Sequence, residues 1–258
     1  MNVRRKWIRE ELLVALKIYC ELEFGQFHSR QPRIVEVSEY LSRTPSSLAM
    51  KLCNFASLDP AMQGKGLKGA SKADAEIIFD FLLNPEQMIL ASEAAYNEML
   101  HTDRTTDLSE STAKPFLYDF EKFEETERVS QIKIRTVQHF FRKAVISSYH
   151  NKCSICSLNH TELLIASHIV PWSKKIESRA DPANGISLCS LHDKAFDLGF
   201  IGIDSHYKIL VSSSMQGKKI QTYEDMFLRF DNQQIHMPFR FSPNAEYLNW
   251  HHQNVFRK

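Results

Sequence analysis

The sequence predicts an α+β protein in two parts, a helical N-terminal domain followed by a domain that mixes short strands with helices. Two observations carry this reading. Through the first hundred residues the apolar side chains recur at helical spacing. Between Leu163 and Leu198, an apolar β-branched run, a proline-containing loop, a second apolar run and a short amphipathic segment succeed one another as strand, loop, strand and helix.

The helical elements follow in order. Residues 7–23 place Ile8, Leu12, Ala15, Leu16, Tyr19 and Leu22 on one face, the pattern of a core-facing helix. A second helix over 34–41 turns Val37 and Leu41 inward. Thr44 is a natural N-cap and Pro45 occupies the favoured first position of a third helix that reaches about Phe55. Helices over 73–83 and 86–100, divided by Asn84-Pro85, complete a domain spanning residues 1–100. Residues 101–130 begin with a polar, Thr-, Ser- and Asp-rich run and are expected to form a linker or crossover. A long helix-prone stretch over 120–149 carries Glu121, Glu124, Glu125 and Glu127 early and Arg135, Arg142 and Lys143 late, an order that suits the helix dipole. It leads into the second domain, residues 131–258. That domain also includes a hairpin over 200–211 and a terminal helix from about Asn244 to Val255.

Composition narrows the class. With 43% hydrophobic residues in 258, the chain can bury an ordinary core, and no apolar run approaches the roughly 18 residues that a membrane helix needs. The basic start, Met1 to Trp7, lacks a signal-peptide apolar stretch, so the expected location is the cytoplasm and no membrane partner is expected. Five cysteines, Cys20, Cys53, Cys153, Cys156 and Cys189, fit no simple disulfide framework and point to reduced thiols or metal ligands. The net charge of +1 does not announce a polyanionic partner, so contact with nucleic acid would have to come from local basic patches.

The most informative segment runs from the Ala166-Ser167-His168-Ile169-Val170-Pro171-Trp172 strand end, through Asp181-Pro182-Ala183-Asn184-Gly185, to Leu191-His192-Asp193-Lys194-Ala195-Phe196-Asp197. His168 and Asn184 are 16 positions apart and Asn184 and His192 are 8 apart, so that a His, an Asn and a His converge beside one hairpin. This arrangement resembles the HNH endonucleases of the ββα-metal superfamily, and the flanking residues from about Arg135 to Ile203 are similar to bacterial restriction-type members. The resemblance implies a metal-dependent endonuclease that hydrolyses phosphodiesters in DNA, with a role in restriction or phage defence.

Phosphodiester hydrolysis needs an activated water and charge stabilisation at the leaving oxygen. The resemblance divides these roles among catalytic residues His168, Asn184 and His192. His168 is expected to be the general base, since a neutral imidazole can take a proton from water near pH 7. His192 is expected to bind the catalytic cation, and Asn184 to brace the loop and hold the His168 ring. The sequence departs from the commonest motif, in which an Asp or His precedes the first His: position 167 is Ser. Asp197, or else Asp193, is expected to supply the second ligand, Asp197 being preferred. The expected ion is Mg²⁺, with Mn²⁺ or a softer ion as alternatives.

Cys153-Ser154-Ile155-Cys156 and the later Cys189-Ser190-Leu191-His192 have the CxxC and CxxH spacing of a structural zinc knuckle. The two readings of His192 compete. Either His160 or a water takes its place at zinc, or Asp193 and Asp197 hold the catalytic ion without it, or the three cysteines are simply buried thiols. Members that resemble this chain keep the histidine without the cysteines, which favours a catalytic His192.

Nucleic-acid contacts have their own candidates. The second and third helices have the outline of a helix-turn-helix unit that would present Ser46, Ser47, Lys51 and Asn54 to DNA; a plain three-helix packing unit gives the same pattern. The basic loop Gln63 to Gly69 can meet phosphates or be a simple flexible turn. Arg135, Gln138, Arg142 and Lys143 can share a face of the long helix as a phosphate grip or as a solvated charged face, and Arg179 can clamp the scissile phosphate or brace its loop. One finger cuts one strand at a time, so double-strand breaks call for a homodimer or two sequential events. The rival readings are a non-catalytic DNA-binding regulator with a zinc-stabilised HNH-like module, and an RNA-cutting effector.

Overall fold

The computed structural model describes residues 5–62, 64–102, 127–216 and 220–258. The expected linker residues 103–126, including Glu121, Glu124 and Glu125, lie outside the described residues, as does Gln63 of the basic loop.

Five helices build the N-terminal part: α1 (Arg9–Glu21), α2 (Pro32–Tyr40), α3 (Pro45–Leu58), α4 (Lys72–Leu83) and α5 (Pro85–Thr102). Local signals set their starts. The Thr44 hydroxyl accepts from the Ser47 amide with Pro45 in the first turn of α3, and Ser71 and Asp74 close a capping box on α4. α1 is the central helix, buried along Glu11 to Cys20 rather than on one stripe. Its cations are neutralised in place: Lys17 meets Glu21 and Glu93, and Glu21 also receives Arg33.

α6 (Glu127–Ser148) joins the two parts, because its neighbouring residues face different cores. Val137, Phe140 and Ala144 pack with α1 and α5, while Phe141, Val145 and Ile146 enter a second core with the C-terminal elements. That second core is built on an antiparallel hairpin, β1 (Leu164–His168) and β2 (Gly185–Cys189), followed directly by α7 (Ser190–Asp197). His168 stands opposite Gly185 across the hairpin. A smaller hairpin, β3 (Ile201–Ile203) with β4 (Ile209–Val211), the short α8 (Gln221–Met226) and α9 (Ala245–Asn254) complete the chain. The mixed helical and two-stranded architecture is α+β, as the patterning predicts. Among the described residues, no helix is long and apolar enough to cross a membrane.

A buried arginine ties the C-terminal part to the first helix. Arg240, only 1% exposed, donates to the carbonyls of Tyr19, Cys20 and Leu22 and to the Ser147 hydroxyl, thereby capping the C-terminal end of α1. At the other end of the finger, α9 supports α7 through His251, whose ring stacks on Phe196 at 3.7 Å while Nε2–H donates to the Phe196 carbonyl.

His251 makes the fold acid-sensitive. Burial takes it down to about 4, with the Phe196 carbonyl opposing and His252 reinforcing, and its Nδ1 is buried without a hydrogen-bond partner. A depressed histidine favours the neutral folded state, so its contribution is fully present above the unfolded value near 6.5 and is lost as pH falls toward 4. The expected loss is about 3 kcal/mol across that window, by the linkage relation. Unfolding by urea at pH 7 and pH 4.5 checks this, with His251→Leu as control: equal pH dependence in the two proteins would refute the assignment.

Candidate functional site

Two adjoining constellations occupy the β1–β2–α7 finger. The first is a thiol–imidazole cluster. The turn after α6 supplies Cys153 and Cys156, the end of β2 supplies Cys189, and the first turn of α7 supplies His192; their ligand atoms all lie within 4.8 Å of one another. The turn is held by Cys153 N–H donating to the Leu158 carbonyl and Ser154 N–H donating to that of Ser187 on β2. A tetrahedral zinc with Zn–S near 2.3 Å and Zn–N near 2.0 Å would separate sulfurs by about 3.8 Å and sulfur from nitrogen by about 3.5 Å. The cluster has Cys156 Sγ to Cys189 Sγ at 3.9 Å and His192 Nδ1 to the Cys153 and Cys189 sulfurs at 3.6 and 3.2 Å. His192 Nε2 lies 2.8 Å from the Met226 carbonyl, which can only accept, so Nε2 carries a hydrogen and Nδ1 is the nitrogen turned to the sulfurs and open to a metal. The donor set therefore fits a tetrahedral ion.

Hydrogen bonds from Cys153 and Cys156 hold the Cys189 thiol far below its usual range, and the same contacts push Cys156 far above it. Burial acts to lower His192, but the Cys156 and Cys189 sulfurs and the Met226 carbonyl outweigh it and raise the ring to about 10.

The second constellation is an open cleft of about 310 Å³ lined by Ser167, His168, Pro171, Trp172, Asp193 and Asp197, among others. His168 ends β1, and its Nε2 lies 3.0 Å from the Arg179 carbonyl, which fixes the hydrogen on Nε2 and leaves Nδ1 as the basic nitrogen. Burial lowers His168 below its ordinary value, while the Arg179 bond and the charge of Asp197 oppose the shift. Asp193 and Asp197, one helical turn apart on α7, are both raised chiefly by burial. Lys194 opposes the shift at each, as does His168 at Asp197. The Ser167 hydroxyl beside them is buried with no partner within hydrogen-bonding distance. Hard oxygen donors beside an imidazole suit Mg²⁺ or Mn²⁺.

The loop between β1 and β2 is shaped by Asn184. Its buried amide accepts from the Val170 amide at 2.8 Å and donates to the carbonyls of Val170 and Ser178. It fixes the loop from which the Arg179 carbonyl reaches His168, so it reaches the base only indirectly. Asp181 caps the segment and accepts from Tyr247 of α9.

Several expected residues sit elsewhere than the sequence suggested. His192 faces the thiols with both nitrogens engaged, and the cleft takes Asp193 in its stead. Lys51, expected on a DNA-reading face, is buried in an ion pair with Asp74 at 2.7 Å, because its place on α3 turns toward α4. Arg142 donates to the Leu164 and Thr161 carbonyls and anchors the start of β1. Lys143 pairs with Glu21, and Arg179 donates from Nε to the Trp172 carbonyl. Ser46 is exposed and Ser47 half-buried on α3, and Arg135 and Gln138 stand exposed on α6. Sequence reasoning did not single out Phe141, stacked on His168 at 3.8 Å, nor the Met226 carbonyl behind His192. Neither belongs to a motif.

Comparison with curated proteins finds no match. Residues 153–204 match the family described as HNH endonuclease, a span that begins at Cys153 and encloses both constellations. The C-terminal half of the chain thus contains a segment that matches the HNH endonuclease family.

Proposed function

We propose that the protein is a metal-dependent DNA endonuclease in which His168 is the general base, Asp193 and Asp197 hold the catalytic divalent cation, and Cys153, Cys156, Cys189 and His192 hold a structural zinc. The observation that carries this reading is the shared cleft: a histidine with its Nε2–H committed to the Arg179 carbonyl, facing two carboxylates. His168 Nδ1 takes the proton of the attacking water, and its depressed basicity keeps the ring neutral at working pH. The cation supplies charge stabilisation at the scissile phosphate and the leaving oxygen. Asn184 holds the loop geometry, and Arg135 and Gln138, exposed on α6, are the remaining candidates for phosphate contact there. In this reading residues 1–100 contribute to target selection, residues 131–258 cut, and the cellular role is restriction or phage defence in the cytoplasm.

The test is cleavage of unmodified plasmid and phage DNA with Mg²⁺ or Mn²⁺, and with EDTA, by the wild type and His168→Ala. Loss of the base is expected to lower the rate about 100- to 10,000-fold with DNA binding retained. Wild-type activity should also fall as pH drops through the histidine range, near 6.5 and below. DNA binding by both proteins with cleavage by neither would favour a regulator that uses the zinc-stabilised finger for docking. Preferential cutting of RNA would replace the substrate class.

A further inference from the structure

The His168 ring is held from more sides than its one hydrogen bond. Phe141, on α6 and 27 positions earlier in the chain, lies parallel to it with ring centroids 3.8 Å apart and planes 9° apart. Trp172 meets the ring edge-on at 5.6 Å and 89°. The close approach of α6 depends on the residue opposite His168. A Cβ at Gly185 would come within 2.3 Å of Val145 Cγ2 and 2.8 Å of Phe141 Cζ, so glycine is what lets the helix sit flat on the hairpin at this point.

We infer that Phe141 is the positioning residue for the proposed base: its flat face, delivered by α6 and admitted by Gly185, sets the plane of the His168 imidazole. The inference rests on the proposed catalytic role of His168. A single hydrogen bond from Nε2 to the Arg179 carbonyl leaves the ring free to tilt out of line and loosen that bond; a parallel aromatic face removes the motion, keeping Nε2–H on the carbonyl and Nδ1 in one direction. Phe141 is 2% exposed, so it acts on the site through the ring it stacks against rather than by presenting a group of its own. It also lies outside residues 153–204, so the segment that matches the family does not contain the wall against which its histidine is set.

Phe141→Leu keeps an apolar side chain and removes the flat face. Its control is Val137→Ala, on the same helix but in the other core, which lowers stability without touching the ring. Two readouts are taken on full-length protein below its melting temperature. In the first, histidine ring ¹⁵N spectra at pH 8 without added cation should show His168 as one Nε2–H tautomer in the wild type and in Val137→Ala, and as a mixture in Phe141→Leu. In the second, Phe141→Leu should lower kcat about 10- to 100-fold with KM unchanged, the scale of a misplaced reacting group. An unaltered tautomer in Phe141→Leu, or a kcat loss no larger than that of Val137→Ala, overturns the inference. If the wild type cuts nothing while the spectra change as expected, the positioning stands and the catalytic reading fails.

Discussion

A Cys189→Ser variant is expected to lose both the zinc proposed for the thiol–imidazole cluster and the folded finger. Three segments meet at the cluster: the 153–156 turn, the end of β2 and the first turn of α7. Through Met226, α8 meets it as well. Structural zinc in small modules is worth about 10–16 kcal/mol of apparent binding free energy, whereas whole domains are stable by only about 5–15 kcal/mol. Removing one thiolate from the donor set therefore reaches the scale of the entire fold. Without an ion to bridge them, three sulfurs and an imidazole would be left to hold the three segments together by hydrogen bonds alone.

Metal analysis of the purified wild type should give about one zinc per chain, and circular dichroism on heating should show an earlier, broader transition in the variant. A wild type that is fully folded with no zinc, or a Cys189→Ser protein that melts with it, refutes the assignment. The same experiment separates two effects of chelation. Brief EDTA treatment should stop cleavage reversibly by removing the weakly held cation from Asp193 and Asp197. Prolonged treatment with a stronger chelator should unfold the finger.

Arg240→Leu is expected to destabilise the protein by at least about 3 kcal/mol, since hydrogen bonds to a charged donor contribute about 1.5–3 kcal/mol each and the carbonyls they leave are buried. The guanidinium lies against the rings of Tyr19, Phe239 and Phe241 while it donates to the last carbonyls of α1, and leucine can replace the apolar contacts alone. Because the residue ties the C-terminal segment to the end of the central N-terminal helix, the loss should also be visible as two resolved unfolding steps where the wild type shows one. Urea unfolding followed by tryptophan fluorescence and by circular dichroism measures both. A change below about 1 kcal/mol with coincident transitions would sink this account.

Local chemistry was legible in the sequence, and long-range convergence was not. Thr44-Pro45 announces the start of α3 because capping needs only neighbouring residues. His168 is readable as a strand end from the β-branched run before it. The assignment of His192 and Asp193 could not be read in the same way. They are adjacent, project about 100° apart from α7, and which of them meets the thiols depends on a turn that begins 39 positions before His192. Lys51, Arg142 and Lys143 have surface-like spacing, but their partners Asp74, Leu164 and Glu21 come from other elements. Arg240 stands between two phenylalanines with nothing nearby to signal that it caps a helix over two hundred residues away.

The double allegiance of α6 limits how this protein could be re-engineered. Its alternate residues serve two cores, Phe140 and Ala144 in one and Phe141 and Val145 in the other, so a graft that transplants the 153–204 segment alone leaves behind the helix that closes it. A chimera would need to carry residues from about 135 onward together with the strap around Arg240, and would then arrive with one face of α6 bare, apolar and prone to aggregate. Swapping the N-terminal half is therefore not a matter of exchanging modules at a linker: the incoming domain has to supply a complementary floor for Val137, Phe140 and Ala144.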